Sequence, residues 1–333
     1  MGCNLAIAGV TGAVGQEFLR ILEERDFPFE SLKMLASSRS AGKKIPFKGK
    51  EYTVEEMTEN SFAGVNIALF SAGGSQSKKF GPAAAKAGAV VVDNSSAFRM
   101  NPDVPLVVPE VNADAIKTHK GIIANPNCST IIANVPVWPL HKANPVKRMI
   151  VSTYQAASGA GMAAMLELEQ QAREVLADKP VNCDALAYQL AFNCYCHDSQ
   201  TGPNGYNEEE MKMVHETRKI FACQDIAITC TCVRVGVMRA HCESINLEFT
   251  DPITPNEARE LLRTAPGVGV IDDPVANRHP MPIDASGKDD IYVGHIRQDE
   301  SIPDNRGLNL WIAGDQIRKG AALNAIQIAE KLV

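Results

Sequence analysis

Apolar and polar positions along the chain follow two rhythms. Leu5-Ala6-Ile7-Ala8 is an unbroken apolar run, and after the glycine-spaced stretch 9–15, Val14, Phe18, Ile21 and Leu22 recur at helical spacing until Asp26-Phe27-Pro28. The pattern predicts a strand, a turn and a helix. It repeats: residues 32–36 and 65–70 read as strands, 71–74 as a small-residue turn, 75–87 as a helix and 121–124 as a short strand. Residues 89–92 are wholly apolar, as strands covered on both faces of a parallel sheet are. Strands alternating with helices predict a Rossmann-type doubly wound sheet over residues 1–127.

The rhythm changes after Cys128. A helical stretch follows that Pro136 and Pro139 are expected to kink or shorten. Residues 148–154 alternate as a half-buried strand, turn through the small residues 155–161, and lead into a helix to about 176. Residues 177–215 read as an irregular, partly helical insertion with a loop at 202–205, 211–221 as a helix, and 226–235 as a strand with Ile226, Ile228, Cys230, Cys232 and Arg234 on one face. The last strand, 307–312, precedes a closing helix over 315–333 expected to pack back on the first domain. An α+β second domain over 128–314 is the expectation.

At 333 residues the chain is long enough for two domains, each with its own core. A net charge of −6 argues against a nucleic-acid partner bound through phosphates. No apolar run reaches the roughly 18 residues of a membrane span, and a strand starting by Asn4 leaves no room for a signal peptide. Nine scattered cysteines, an odd number, fit a reducing compartment: the cytoplasm, or the stroma of a plastid.

Candidate chemistry sits at the turns. Gly9, Gly12 and Gly15 follow the first strand and open the first helix, where backbone can approach a pyrophosphate and free N–H groups can receive it; a purely structural turn is the alternative. After the second strand, Ser37-Ser38-Arg39-Ser40 offers hydroxyls and a guanidinium where NAD-binding folds place an acid, which suits the 2′-phosphate of NADP unless this is a solvated loop. Cys128 follows Asn125-Pro126-Asn127 at a strand-to-helix junction, where the positive helix end favours a thiolate; a packed small hydrophobe is the alternative. Arg234 ends an apolar row and needs an anionic partner, a Glu or a substrate carboxylate. Gly236 breaks the alternation and lets His241 turn back to the same side, as an acid–base group near neutral pH or as a structural histidine. Glu216 and Lys219 are helical i,i+3 neighbours that also read as a surface ion pair. The 155–161 turn could touch a cofactor or the reacting centre. Cys183, Cys194, Cys196 and His197 raise the thought of zinc, but no C-x-x-C pair exists and packed or loop cysteines are the stronger reading.

Taken in order, the stretches 9–15, 37–42, 93–99, 107–112, 125–130, 152–161, 216–220, 232–234, 239–241 and 314–322 resemble the aspartate-β-semialdehyde dehydrogenases, and the branch found in bacteria and plant plastids most. The resemblance implies NADPH-dependent conversion of aspartyl phosphate to aspartate semialdehyde through a cysteine thioester, a step toward lysine, methionine and threonine. It implies Cys128 as nucleophile, His241 as acid–base residue and Gln155 as a positioning group. Arg234 would hold the substrate carboxylate and Glu216 its amino group. Arg99 and Lys219 would take the phosphate, and Asn127 would also contact substrate. Gly9, Thr11, Gly12, Ala13, Val14, Ser37, Arg39, Ser40, Ser158, Gly159 and Gln316 would contact NADP. No metal is implied; homodimers, sometimes paired into tetramers, are. The chain departs from the family at Gly236, often a proline, and in the cysteine-rich stretch 194–196. The sister N-acetylglutamyl-phosphate reductases share fold and thioester chemistry and are the nearest rival.

Overall fold

The computed structural model describes residues 2–333. The chain forms two compact units: one runs to Asn127 and resumes at Ala321, the other spans Cys128–Gly320. In chain order the first unit holds strands β1 (Cys3–Ala8), β2 (Phe29–Ala36), β3 (Lys44–Phe47), β4 (Lys50–Thr53), β5 (Glu55–Glu56), β6 (Ile67–Phe70), β7 (Val90–Asp93) and β8 (Ile122–Ala124). Its helices are α1 (Ala13–Glu24), α2 (Gly74–Lys86) and the single turn α3 (Pro109–Asn112). Six strands form one parallel sheet in the order β5-β2-β1-β6-β7-β8, and β3–β4 is a separate hairpin. Winding reverses between β1 and β6, so a crevice opens beyond their carboxyl ends, at Gly9 and Ser71.

Both sheet faces are covered, which is why these strands are apolar throughout. Leu5, Ile7 and Leu69 pack with Phe18 and Leu22 of α1, and Ala6, Ala8 and Phe70 pack with Phe80 and Ala84 of α2.

The second unit holds α4 (Cys128–Ala143), β9 (Val146–Gln155), α5 (Met162–Leu176), β10 (Cys194–Cys196), α6 (Glu208–Ile220), β11 (Ala227–Val235), β12 (His241–Phe249), α7 (Pro255–Arg263), β13 (Val268–Val270), the single turn α8 (Pro282–Ala285), β14 (Ile291–Gln298) and β15 (Gly307–Gly314). Its mixed sheet has the order β10-β11-β9-β12-β15-β14-β13. Helices α4, α6 and α7 pack on it. Along β9, Met149, Val151, Thr153 and Gln155 are buried while Tyr154 between them is exposed, the signature of one covered face.

Four expectations need correction. Of the two effects expected of Pro136 and Pro139, shortening does not occur: helix α4 runs through both, because burial of nearly every side chain from Ser129 to Val137 outweighs the two missing N–H bonds. Helix α6 starts at Glu208 and not 211, since Asn207 and Glu210 cap each other reciprocally. The irregular insertion contributes β10, paired antiparallel to β11. The closing helix, α9 (Leu323–Glu330), is shorter than 315–333: Asp315 Oδ1 accepts the N–H groups of Ile317 and Arg318 at 3.0 Å, holding that stretch in a turn, and a π-helical turn over Arg318–Ala322 leads into α9. Within the first unit α9 packs against α1.

Candidate active site

Strand register assembles the site. β9 and β11 are parallel, with Gln155 opposite Arg234, and β12 runs antiparallel to β9 with Cys242 opposite Tyr154. Extending that register by one residue sets His241 opposite Gln155. Arg234, Gln155 and His241 therefore stand in one row at one end of the sheet, all on the buried face. Two of the three also meet at Gly159: a Cβ built there would lie 3.0 Å from Arg234 Nη1 and from His241 Nε2, so a larger residue would press on both side chains. The turn back into β12 is strained, with Ala240 at φ 74°, and Gln316 Oε1 holds it by accepting the Ala240 N–H at 2.9 Å. Gln316 Nε2 donates to Ser158 Oγ on the facing turn.

Cys128 is the first residue of α4, and its Sγ lies 3.7 Å from His241 Nε2. The tautomer follows from the other ring nitrogen. Nδ1 accepts the backbone N–H of Ala156 at 3.0 Å, so the neutral ring carries its proton on Nε2, facing the sulfur. His241 is fully buried, and desolvation, with the charge of Arg234 next, pushes its pKa down to about 3. The expectation of an imidazole titrating near neutrality fails for this reason: it is a neutral donor. The positive end of α4 and this N–H both favour a thiolate at Cys128.

Gln155 Nε2 faces Ser129 Oγ at 3.2 Å, Thr153 Oγ1 at 3.3 Å and Glu209 Oε1 at 3.4 Å. Glu209 is buried, forms an ion pair with Lys212 at 2.9 Å, and its charge reaches both His241 and His197. The sequence reading missed this pair and chose Glu216 and Lys219. Those two lie two turns farther along α6, about 10 Å of helix. Thr130 Oγ1 and Met213 Sδ are 3.5 Å apart and Thr217 reaches Asn134, so α6 leaves the Cys128 end of α4 as it runs. Burial depresses the pKa of Lys219, and Glu216 opposes that shift. Packing against β11 buries Glu209 and Glu210.

Arg234 is buried and has no carboxylate partner among the described residues. Nη1 donates to Ala156 O at 3.1 Å, Nη2 lies 3.0 Å from His197 Nε2, and Nε is unpartnered. No three His, Cys, Asp or Glu side chains among the described residues could hold a metal ion.

In the first unit a cleft of about 510 Å³ lies at the strand reversal, lined by Gly9, Thr11, Gly12, Ser37, Arg39 and Lys79 among others. Gly9 has φ 89°, and a Cβ there would lie 2.3 Å from Ser71 O. Gly12 caps α1 without a side-chain bond, leaving first-turn N–H groups for a ligand. Arg39 and Lys79, both in the lining, form no ion pair among the described residues. Glu56 also lines the cleft, brought in beside Ala36 by β5, an acid the sequence reading did not foresee. Ala13, Val14 and Ser40 are not in the lining. Arg99 is buried, its Nε donating to Asn125 O at 2.9 Å and its Nη2 to Asn94 O at 2.7 Å. Asn127, also buried, directly precedes Cys128.

Comparison with known proteins matches the two halves separately. The semialdehyde dehydrogenase NAD-binding domain profile covers residues 4–119, and the semialdehyde dehydrogenase dimerisation domain profile covers residues 137–319. Aspartate-semialdehyde dehydrogenase of Synechocystis sp. is 55% identical over 330 residues, covering 99% of this chain and 97% of that protein. The Bacillus subtilis protein of that name is 48% identical, covering 99% and 97%. The crystal structure of aspartate semialdehyde dehydrogenase II from Vibrio cholerae, complexed with ASA, superposes with a TM-score of 0.96 at 45% identity, covering 100% of this chain and 98% of that one. The chain belongs to the aspartate-semialdehyde dehydrogenase family.

Proposed function

We propose that the chain carries out its family's reaction, the reductive dephosphorylation of aspartyl phosphate to aspartate semialdehyde with NADPH, with Cys128 as nucleophile. The observation that carries the reading is the thiol at the start of α4, 3.7 Å from a buried imidazole whose Nε2–H faces it. Thiolate Sγ forms a bond to the acyl carbon, the carbon–oxygen bond to phosphate breaks, and phosphate leaves with the electron pair. NADPH, when bound, supplies the hydride that converts the resulting thioester carbon to the aldehyde. The carbon–sulfur bond then breaks and the thiolate is regenerated. His241 Nε2–H donates to the developing oxyanion and to the departing sulfur. A neutral imidazole acting as such a donor needs no proton exchange at each turn.

Arg234 holds the substrate carboxylate and Gln155 orients the thiol and acyl group. Glu209, which faces Gln155, takes the substrate ammonium in place of Glu216. Lys212, paired with Glu209, serves phosphate in place of Lys219, with Arg99; Asn127 completes the substrate contacts. Gly9, Thr11, Gly12, Ser37 and Arg39 line the dinucleotide cleft, with Ala13, Val14 and Ser40 beside it. Arg39 and Lys79 outweigh Glu56 in charge, which favours NADP over NAD. Ser158 and Gly159, in the turn beside His241, and Gln316, which bonds Ser158, are the cofactor contacts proposed for the second unit.

The dimerisation-domain match supports a homodimer as the working assembly. No helix of the described residues is long and apolar enough to cross a membrane. Nine free cysteines support the cytoplasm, or a plastid stroma, as the compartment.

Glu209→Gln and Glu216→Gln test the substrate assignment. The first should raise KM for aspartate semialdehyde about tenfold, the loss of one charged hydrogen bond, and the second should change it less than about twofold. The reverse order would return the role to Glu216.

A further inference from the structure

We infer that His197 is a positioning residue for Arg234, and that a neutral acceptor is used there so the guanidinium stays available to the substrate carboxylate. The inference rests on the assignment of Arg234 to that carboxylate. Arg234 is buried, yet no Asp or Glu pairs with it among the described residues. Its Nη2 lies 3.0 Å from His197 Nε2, its Nη1 donates to Ala156 O, and Nε has no partner. A buried guanidinium usually acquires a carboxylate, because desolvation of an unpaired charge is costly. Here such a carboxylate would compete with the substrate's own.

An arginine can only donate, so Nε2 accepts from Arg234, while on the other side of the ring Nδ1 lies 3.1 Å from both the N–H and the Oγ of Ser199. Ser199 Oγ in turn accepts the Glu209 N–H at 3.1 Å, which ties the imidazole to the start of α6. His197 directly follows β10, whose pairing with β11 sets Tyr195 opposite Arg234 and so fixes the distance. The imidazole therefore aims the fork without neutralising it.

Protonation would undo this. A cationic His197 would lose its acceptor and place a second charge 3.0 Å from Arg234. The charged and titratable groups around it are Arg234 of β11, Glu209 and Lys212 of α6, His241 of β12 and its own neighbour Asp198. Burial first, then Arg234 and Lys212, hold the ring below its ordinary pKa, against Glu209 and Asp198. Substrate affinity should then weaken as the pH falls into the acid range.

The test is a substitution series read as KM for aspartate semialdehyde against kcat and KM for NADP. His197→Leu removes the acceptor and should raise substrate KM about tenfold, with kcat and KM for NADP within about twofold. His197→Gln keeps a neutral acceptor and should recover most of the loss. His197→Glu supplies a charged acceptor and should be worse than Gln, whereas a merely structural role would favour it. In the unsubstituted chain, substrate KM should climb as the pH falls below the ordinary imidazole pKa, and more steeply than in His197→Gln. Arg234→Gln is the control. If it leaves substrate KM unchanged, the assignment of Arg234 fails and this inference with it. If it raises KM while Leu and Glu at position 197 behave like Gln, or the two pH profiles coincide, the positioning role alone is overturned.

Discussion

Three residues carry the chemistry in this account, and each has its own test. Cys128→Ala should abolish turnover, since it removes the proposed nucleophile, while NADPH titration by fluorescence should give an unchanged Kd. Residual turnover at an appreciable fraction of the parent rate would remove the cysteine from the mechanism. Arg234→Lys should raise substrate KM more than it lowers kcat, because an ammonium cannot reproduce a planar two-pronged donor; an unchanged KM counts against the carboxylate role. His241 makes a prediction about stability. Its folded pKa of about 3 lies below the ordinary 6.5, so between those values the unfolded chain binds a proton that the folded chain does not. The contribution is fully present above pH 6.5 and drains as pH falls toward 3, by up to about 1.4 kcal/mol per pH unit. Urea melts of His241→Asn should show that much less acid sensitivity than the parent. Parallel slopes would mean that the ring is solvated or charged in the native chain.

At the scale of elements, the parallel sheet was legible because its strands are buried on both faces and so are apolar without interruption. Register then does what composition cannot. Gln155, Arg234 and His241 are up to 86 residues apart in the chain, yet one parallel and one antiparallel pairing set them in a row. Cys128, Arg234 and His241 drew notice as a cysteine at a helix start and polar residues ending apolar strands. Glu209 did not, and His197 did so only as a conceivable zinc ligand, for a physical reason. A glutamate in a triple-glutamate helix start and a histidine beside two cysteines look like a solvated cap and a metal ligand until packing buries them. The helix that carries Glu209 is held by the Asn207–Glu210 capping box. Asn207→Ala should lower stability by about 1 kcal/mol and, by loosening the first turn, raise substrate KM several-fold. A stability loss with no change in KM would separate the cap from the site.

For the whole molecule, the proposed division of labour follows the two units: a cleft for the dinucleotide at the strand reversal of one, and a thiol, imidazole and guanidinium at one sheet end of the other. The central claim is that this chain makes and breaks an acyl phosphate through Cys128 with NADP as its redox partner. The most direct measurement follows NADPH absorbance in the reverse direction, with aspartate semialdehyde, NADP and inorganic phosphate, beside NAD and N-acetylglutamate semialdehyde controls. The account predicts turnover that requires phosphate, prefers NADP and is confined to the unacetylated aldehyde. Turnover only with the N-acetylated aldehyde, or none from protein that still binds NADPH, would contradict it.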